Sequence, residues 1–382
     1  MIIIFVDIKE IRPGVLSKDQ ILGLIKSNKI KGAKEESVGL SSFDIHITDE
    51  IWIMKRGGVK PLGGDVSYKD ILIDINFSER YKERNGKIRL ERGKTYIFRA
   101  KESLALKNTD IYGVSTGKSS IGRVDVLVRV IVDRGSYYYD RIPPNYEGDI
   151  FLEVTPISFN IEIEPGIALS QMRLFRGGPE LSELSKEILH FYGDLIVDED
   201  GKRKEQDEIF DLRVNLRNIK EKGEEYCYYK AKDTEKCVRL YGEKMKPKEY
   251  WERGKSEIIR DKNYVVIEPE RFYIFRSKER FKLPSDIAVY AQAVSEDIGE
   301  IRIHYAGFVH PLFGSLREDG KGTPLIFEVR GHNVKTILRD GEVLAKIKFY
   351  KMSNSVSKDS CKSSHYEYQE LRLSNYFKEW DE

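Results

Sequence analysis

The stretch GKSSIGR at residues 117–123 places Lys118, Ser119, Ser120 and Arg123 around two glycines. A phosphate accepts hydrogen bonds from hydroxyls and exposed backbone N–H groups, and cationic side chains offset its charge. The loop therefore predicts an oxyanion site, in which the lysine and the arginine pair with the charge and the serines donate hydrogen bonds. A plain polar turn is the alternative, because short Gly/Ser/Lys patterns are only weak signals of binding.

The loop belongs to a chain that repeats itself. YIFRAKE at 96–102 returns as YIFRSKE at 273–279, and IFLEV at 150–154 returns as LIFEV at 325–329. Self-similarity at separate anchors with nearly the same offset indicates a tandem duplication of a unit of about 175 residues.

The repeats predict two domains, residues 1–195 and 196–382, joined through the charged stretch at 197–208 with its Asp-Gly turn. FNIEIEPG at 159–166 alternates apolar and polar residues, which is typical of a half-buried antiparallel strand. Repeated short strands of this kind predict a mainly β fold, either a sandwich or a barrel.

Few helices are expected. Ser17 and Gln20 form a capping box before an apolar helix face, and LSELSKEILHFY at 181–192 predicts a second helix with His190 on its surface or at an interface. The opening run MIIIFVD is too short for a signal peptide or a membrane span, so we expect a cytoplasmic strand there.

Composition argues against several classes of protein. Lys and Arg number 65 against 63 Asp and Glu, so the net charge of +2 predicts no global attraction to nucleic acid or to a membrane. The three cysteines Cys227, Cys237 and Cys361 show no C-x-x-C spacing, which favours reduced thiols over disulfides or structural zinc.

Five segments together resemble the deoxycytidine triphosphate deaminases of the trimeric dUTPase-like fold, in their duplicated two-domain bacterial form. These segments are GKSSIGRVDV (117–126), PPNYEGDIFLEV (143–154), EPGIALSQMRLF (164–175), IRIHYAGFVHP (301–311) and HYEYQELRLSNYF (365–377). The resemblance implies two dUTPase-like distorted β-barrel or jelly-roll domains. It also implies metal-independent hydrolysis of dCTP to dUTP and ammonia, which feeds dTTP synthesis, in a homotrimer with interface active sites; Mg²⁺ arrives on the nucleotide.

The deamination requires a water that attacks C4 and a proton for the departing ammonia. The zinc deaminases combine H-x-E with P-C-x-x-C, and this combination is missing here. A buried glutamate must then act as base and acid, with its pKa raised by apolar neighbours. Glu153 and Glu328 hold the same register in the two copies, and both are candidates; the resemblance adds Ser119 and Arg123 as residues that place the water and the glutamate.

The two copies differ in charge. SEDIGE at 295–300 replaces the loop serines and arginine with carboxylates that would repel a triphosphate, whereas Ala306 and Gly307 are small enough for a pyrimidine to lie against the backbone. We therefore expect a composite site, in which the loop of the first repeat faces the hairpin and Glu328 of the second, in the same or a neighbouring chain. The alternative keeps Glu153 with its own repeat, at an interface between first domains.

Four further residues belong to the predicted site. His310 stands where the family has an aspartate, and either contacts the sugar or caps a turn; His304 either packs in the core or contacts substrate. Tyr366 and Gln369 match a family Tyr-x-x-Gln that, by the resemblance, folds over the nucleotide.

Other functions stay open at this point. dUTP diphosphatases have a Gly-rich tail and a hairpin aspartate, whereas this chain has no glycine after Gly341 and lacks the aspartate in both hairpins. Deaminase is therefore favoured over diphosphatase, and a bifunctional dCTP deaminase/dUTP diphosphatase is the first alternative. A non-catalytic nucleotide-binding module and a purely structural β protein are the others.

Overall fold

The computed structural model describes residues 10–82, 86–205, 207–293, 301–303, 307–358 and 368–382. The first repeat contains strands β1 (Gly14–Val15), β2 (Ile30–Lys31), β3 (Phe43–Met54), β4 (Ser78–Arg80), β5 (Ile88–Leu90), β6 (Tyr96–Ala105), β7 (Ile111–Gly117), β8 (Val126–Val132), β9 (Arg141–Ile142), β10 (Glu147–Pro156), β11 (Ile161–Ile163) and β12 (Ala168–Arg176).

The second repeat contains strands β13 (Ile196–Val197), β14 (Ile209–Asn215), β15 (Ile219–Glu221), β16 (Glu224–Tyr226), β17 (Tyr228–Ala231), β18 (Val238–Arg239), β19 (Trp251–Gly254), β20 (Glu257–Ile259), β21 (Lys262–Ile267), β22 (Phe272–Phe281), β23 (Ile287–Ala293), β24 (Ile301–Ile303), β25 (Gly307–Val309), β26 (Thr323–Gly331), β27 (Thr336–Arg339) and β28 (Val343–Lys351). The helices are α1 (Lys18–Lys26), α2 (Tyr68–Ile73), α3 (Ser119–Gly122), α4 (Pro179–Ser182) and α5 (Lys186–His190), with 3₁₀ turns at Glu35–Ser37 and Pro247–Glu249.

The strands of the two repeats follow one order. The large sheet of the first repeat runs β8-β10-β6-β3-β12-β7-β9, and that of the second runs β24-β26-β22-β14-β28-β23-β25. Each repeated sequence motif occupies the same strand in both sheets, since YIFR lies in β6 and β22, and the strands with Glu153 and Glu328 pair beside them. The predicted mainly β fold with an internal duplication is confirmed.

The repeats share one extended core at their junction. Phe159, Ile161 and Ile163 are fully buried, as the alternation of this segment predicts, and Trp251 of the second repeat packs on Phe159 with ring centroids 5.5 Å apart. Strand β18 of the second repeat pairs in parallel with β11 of the first. Main-chain pairing and aromatic packing therefore bring residues of both repeats to one boundary.

The helix predictions have mixed outcomes. The amide of Ser17 donates to Oε1 of Gln20 at 2.9 Å at the start of α1, so the predicted helix is confirmed. The single helix predicted at 181–192 is wrong: the chain forms α4 and α5, because the extended Glu183 between them bridges to Tyr350.

His190 is exposed at the end of α5, and the predicted opening strand lies outside the described residues. Within the described ranges, no helix has the length and apolar character to cross a membrane.

Candidate active site

The predicted phosphate loop is a single helical turn between β7 and β8. Lys118 precedes α3, and its carbonyl accepts from the amides of Ile121 and Gly122 at 2.8 and 3.0 Å. Ser119 is exposed, whereas the side chain of Ser120 is buried. The turn therefore presents its first serine and its glycine at the surface between the two repeats.

A cavity of about 170 Å³ lies where this turn meets the second repeat. The first repeat contributes Lys118, Ser119, Gly122 and Arg123, and the second contributes Gly307, His310, Glu328 and Gln369. An adjoining cavity of about 490 Å³ shares Lys118, Ser119 and His310 and continues past Ser120. Predicted site residues from both repeats thus line the same two cavities within a single chain.

Glu328 lies directly against the phosphate loop. It is half-buried in β26, and its carboxylate fills the space beside Gly122, where a Cβ would lie only 2.8 Å from Cδ of the glutamate. A glycine is therefore required at this point of the loop for the carboxylate to keep its place. This is the arrangement that the composite-site hypothesis expects.

The two cations of the loop have protein partners that the sequence did not suggest. Lys118 forms an ion pair with Asp44. Arg123 is 2% exposed; it donates from Nη2 to Oε1 of Gln369 at 2.7 Å and from Nη1 to the carbonyl of Arg372 at 3.1 Å. Arg123 thus connects the loop to the C-terminal segment, in addition to lining the cavity.

The C-terminal segment is fixed to both repeats. The side-chain Nε2 of Gln369 donates to the carbonyl of Pro324 at 3.0 Å, and the hydroxyl of Ser374 donates to the carbonyl of Ser120 at 2.7 Å. The next residue, Glu370, forms ion pairs with three arginines of the second repeat, Arg276, Arg280 and Arg317.

The charge of Glu370 is stabilised by this cluster. Burial alone raises the pKa of Glu370, but Arg280, Arg276 and Arg317 outweigh it and hold that pKa below its usual value. The members of this cluster lie far apart along the chain, so no sequence pattern indicated it.

His310 is a neutral imidazole that closes a turn. Its Nδ1 lies 2.8 Å from the carbonyl of Pro311, and burial lowers the pKa of the ring. Since a carbonyl can only accept, Nδ1 carries the proton and Nε2 keeps a lone pair. The turn-capping alternative thus describes Nδ1, while the residue also lines both cavities.

Arg173 is a second residue that the sequence analysis missed. It is fully buried and donates to the carbonyls of Val289 and Val309 at 2.8 and 3.1 Å, and its guanidinium lies 4.4 Å from the ring centre of Phe308. Burial lowers the pKa of Arg173 to about 9. An arginine in an alternating strand usually faces water, so the pattern gave no signal of this role in holding the hairpin strand β25.

Glu153 has different surroundings and lines neither cavity. Its carboxylate accepts from the hydroxyl of Tyr139 at 3.1 Å and lies against the backbone of Gly58, where a Cβ would be 2.7 Å from Cδ. Burial raises the pKa of Glu153. The structure therefore keeps the two candidate glutamates apart.

Some predicted residues lie outside the described part of the chain. They are His304, Ala306, Tyr366 and the acidic counterpart loop at 295–300. Among the residues that are described, no three His, Cys, Asp or Glu side chains form a group that would hold a metal ion. Cys227 and Cys237 are free thiols, and Cys361 also lies outside the described ranges.

Comparison with known proteins gives matches to both repeats. The model of the 2′-deoxycytidine 5′-triphosphate deaminase N-terminal domain matches residues 12–178, and the model of the C-terminal domain of the same enzyme matches residues 183–377. The crystal structure of 2′-deoxycytidine 5′-triphosphate deaminase from Agrobacterium tumefaciens is similar with a TM-score of 0.78 and 26% identity, covering 90% of this chain and 96% of that one. A search of curated proteins found no match.

Proposed function

The chain belongs to the 2′-deoxycytidine 5′-triphosphate deaminase family, and on that premise we propose that it hydrolyses dCTP to dUTP and ammonia. The observation that carries the proposal is the carboxylate of Glu328 against Gly122, in a cavity lined by the phosphate loop of the other repeat. A carboxylate and an oxyanion loop side by side suit a substrate that has its reacting base and its phosphates at opposite ends.

Glu328 is the proposed acid–base group. Water adds to C4 of cytosine, and one of its protons passes through the carboxylate to N3. The proton of the new C4 hydroxyl then passes through the same carboxylate to the amino group, which leaves as ammonia while C4 becomes a carbonyl. One carboxylate serves both steps because in each step it first accepts a proton as a base and then donates that proton as an acid, which regenerates it.

The phosphates are proposed to lie along the loop of the first repeat. Ser119 is exposed at the cavity and, with the backbone of its turn, donates hydrogen bonds to an oxyanion; Ser120 and Lys118 line the adjoining cavity. Arg123 orients Gln369 over the loop. Mg²⁺ is proposed to accompany the triphosphate and not to be a resident of the protein.

The base is proposed to lie against the hairpin of the second repeat. Gly307 lines the cavity beside Glu328, and its missing side chain lets a pyrimidine approach the backbone. The acceptor Nε2 of His310 suits a sugar hydroxyl. His304, Ala306 and Tyr366 remain candidates for contacts with the nucleotide.

A product assay tests the function. The full chain is incubated with dCTP and MgCl₂, and dUTP, dUMP, ammonia and pyrophosphate are resolved over time. We expect dUTP and ammonia in equal amounts. Formation of dUMP and pyrophosphate would identify the bifunctional enzyme, binding of dCTP without ammonia would identify a nucleotide-binding module, and a chain that neither binds nor converts dCTP would end the proposal.

Two expectations from the resemblance are part of the proposal, a homotrimer and a role upstream of dTTP synthesis. Two more come from the sequence itself, a cytoplasmic location and no nucleic-acid partner. Sedimentation of the purified chain tests the first. Residues of both repeats of one chain line the cavity. We therefore expect a single chain to keep a complete active site when the trimer dissociates.

A further inference from the structure

Asp125 and Arg330 form an ion pair between the two repeats next to the proposed site. Asp125 follows the phosphate loop and is fully buried, and Arg330 lies two residues beyond Glu328 in β26. Ser158 connects the two side chains: its hydroxyl donates to Oδ2 of Asp125 at 2.6 Å and accepts from Nη2 of Arg330 at 2.9 Å.

This ion pair completes a closed loop of contacts around Glu328. The amide of Asp125 donates to the carbonyl of Gly122 at 2.8 Å, and Gly122 contacts the Glu328 carboxylate. Residues two apart in a strand point to the same face, so Glu328 and Arg330 approach the first repeat side by side. A shift of β26 along the loop would therefore separate the ion pair and the glutamate from their partners together.

The remaining contacts of Arg330 fix its direction. Its Nη1 donates to the carbonyl of Glu270 at 2.6 Å, and its guanidinium lies 6.0 Å from the ring centre of Phe272. Burial lowers the pKa of Arg330 to about 10, so the guanidinium keeps its charge at neutral pH. The side chain of Arg330 is therefore held in one orientation by Asp125, by the hydroxyl of Ser158 and by the carbonyl of Glu270.

In the described part of the chain, Glu153 has no equivalent ion pair beside it. By the repeat offsets, Thr155 takes the place of Arg330 and Arg302 takes the place of Asp125. Thr155 instead exchanges a hydrogen bond with Thr95 at 2.9 Å, within its own repeat. The ion pair is thus specific to the boundary at which Glu328 meets the phosphate loop.

We propose that Asp125 and Arg330 are positioning residues, whose ion pair across the repeats holds the Glu328 carboxylate against Gly122. The inference rests on the proposed deaminase function for its kinetic readout only. The pair acts on where the carboxylate lies and contacts neither the phosphates nor the base.

The test compares single and double neutralisations. Arg330→Met removes the positive charge beside the buried Asp125, and Asp125→Asn removes the negative charge beside Arg330, so each single variant is expected to lower both the unfolding temperature and kcat. The double variant D125N/R330M leaves no orphan charge. Most of the cost of breaking a buried ion pair comes from the uncompensated charge that remains, so we expect its unfolding temperature to return towards that of the wild type.

The kinetic signature separates positioning from stability. In the folded double variant we expect kcat to stay reduced by roughly tenfold to a hundredfold, the size expected for a misplaced catalytic group, while KM for dCTP changes little. Arg92→Met is the matched control, because Arg92 also crosses the repeats, to Asp233 and Glu235, but on the exposed surface. It should keep both kinetic constants.

Two outcomes overturn the proposal. One is a folded double variant with wild-type kcat, and the other is an equal loss of kcat in Arg92→Met. A crystal structure of the double variant decides the question without turnover: Glu328 should have left Gly122, and an unmoved carboxylate contradicts the positioning role. If the wild-type chain does not deaminate dCTP, the function fails, and the crystal structure still decides whether the ion pair positions Glu328.

Discussion

Glu153 and Glu328 occupy the same place in two copies of one sheet, yet the loops that face their carboxylates belong to different parts of the chain. Each lies on a strand that pairs with the YIFR strand of its repeat, and each carboxylate rests on a glycine. For Glu328 that glycine is Gly122 in the phosphate loop of the other repeat. For Glu153 it is Gly58, in a loop of its own repeat.

The contrast shows how a duplicated scaffold divides one site between its copies. Around Glu153, the hydroxyl of Tyr139 donates to the carboxylate and burial raises its pKa, while Tyr68 of α2 packs close by. Around Glu328, an exposed serine and an open cavity replace the tyrosines. The same glutamate of the repeat therefore meets the phosphate loop only in the second copy, where the first repeat supplies that loop.

The largest expected effect comes from exchanging each carboxylate for an amide. Glu328→Gln removes the proposed acid–base group, which contributes about 10²- to 10⁴-fold to rate, so kcat should fall by that order with dCTP still bound. Glu153→Gln should leave kcat close to that of the wild type. Steady-state assays of the two variants decide between the glutamates, and the reverse ranking would return the site to the first repeat.

A second prediction uses the two glycines. Gly122→Ala places a Cβ in the space of the Glu328 carboxylate, and because that carboxylate ends a flexible side chain it moves without unfolding the chain. Displacement of about 1 Å can cost about a hundredfold in kcat. Gly58→Ala makes the same collision with Glu153 and is the matched control. Equal kinetics in the two variants would show that the place of Glu328 is irrelevant to turnover.

A third prediction concerns the C-terminal segment, which lines the cavity of Glu328 through Gln369. Glu370→Gln removes the charge that Arg276, Arg280 and Arg317 bind, so Gln369 is held less firmly against Arg123. We expect kcat/KM to fall about tenfold, which corresponds to about 1.4 kcal/mol.

The control for that prediction lies further along the same segment. Glu379 is 63% exposed and pairs with Arg372, so Glu379→Gln should change kcat/KM little. A similar loss in both variants would mean that any charge change in the segment matters, and that the arginine cluster has no special part.

The duplication and its strands were predictable because alternating patterns and repeated motifs can be seen directly in the sequence. The charge difference between the loops also suggested that phosphate and base contacts come from different repeats. The partners of the cations were not predictable: Asp44 lies far from Lys118 in sequence, and Gln369 lies further still from Arg123. Single polar contacts between distant segments leave no periodicity, so the buried Arg173 and the Glu370 cluster were missed for the same reason.

The smallest expected effect concerns Glu153, whose ionisation in a buried position should lower the stability of the fold. Burial raises the pKa of this carboxyl in the folded chain, so the folded state binds its proton more tightly than the unfolded state does. Stability from this group is therefore fully present below the pKa of the unfolded chain and is lost as pH rises through the folded value. Glu153→Gln does not titrate, so its unfolding temperature should match the wild type in acid and exceed it at neutral pH.

Tyr139→Phe removes the hydrogen bond that favours the charged form of Glu153, and should increase the loss of stability at neutral pH. Thermal unfolding of the three proteins across this range measures the difference, and a gap between Glu153→Gln and the wild type that opened on acidification instead would show that the fold is stabilised by a Glu153 carboxylate.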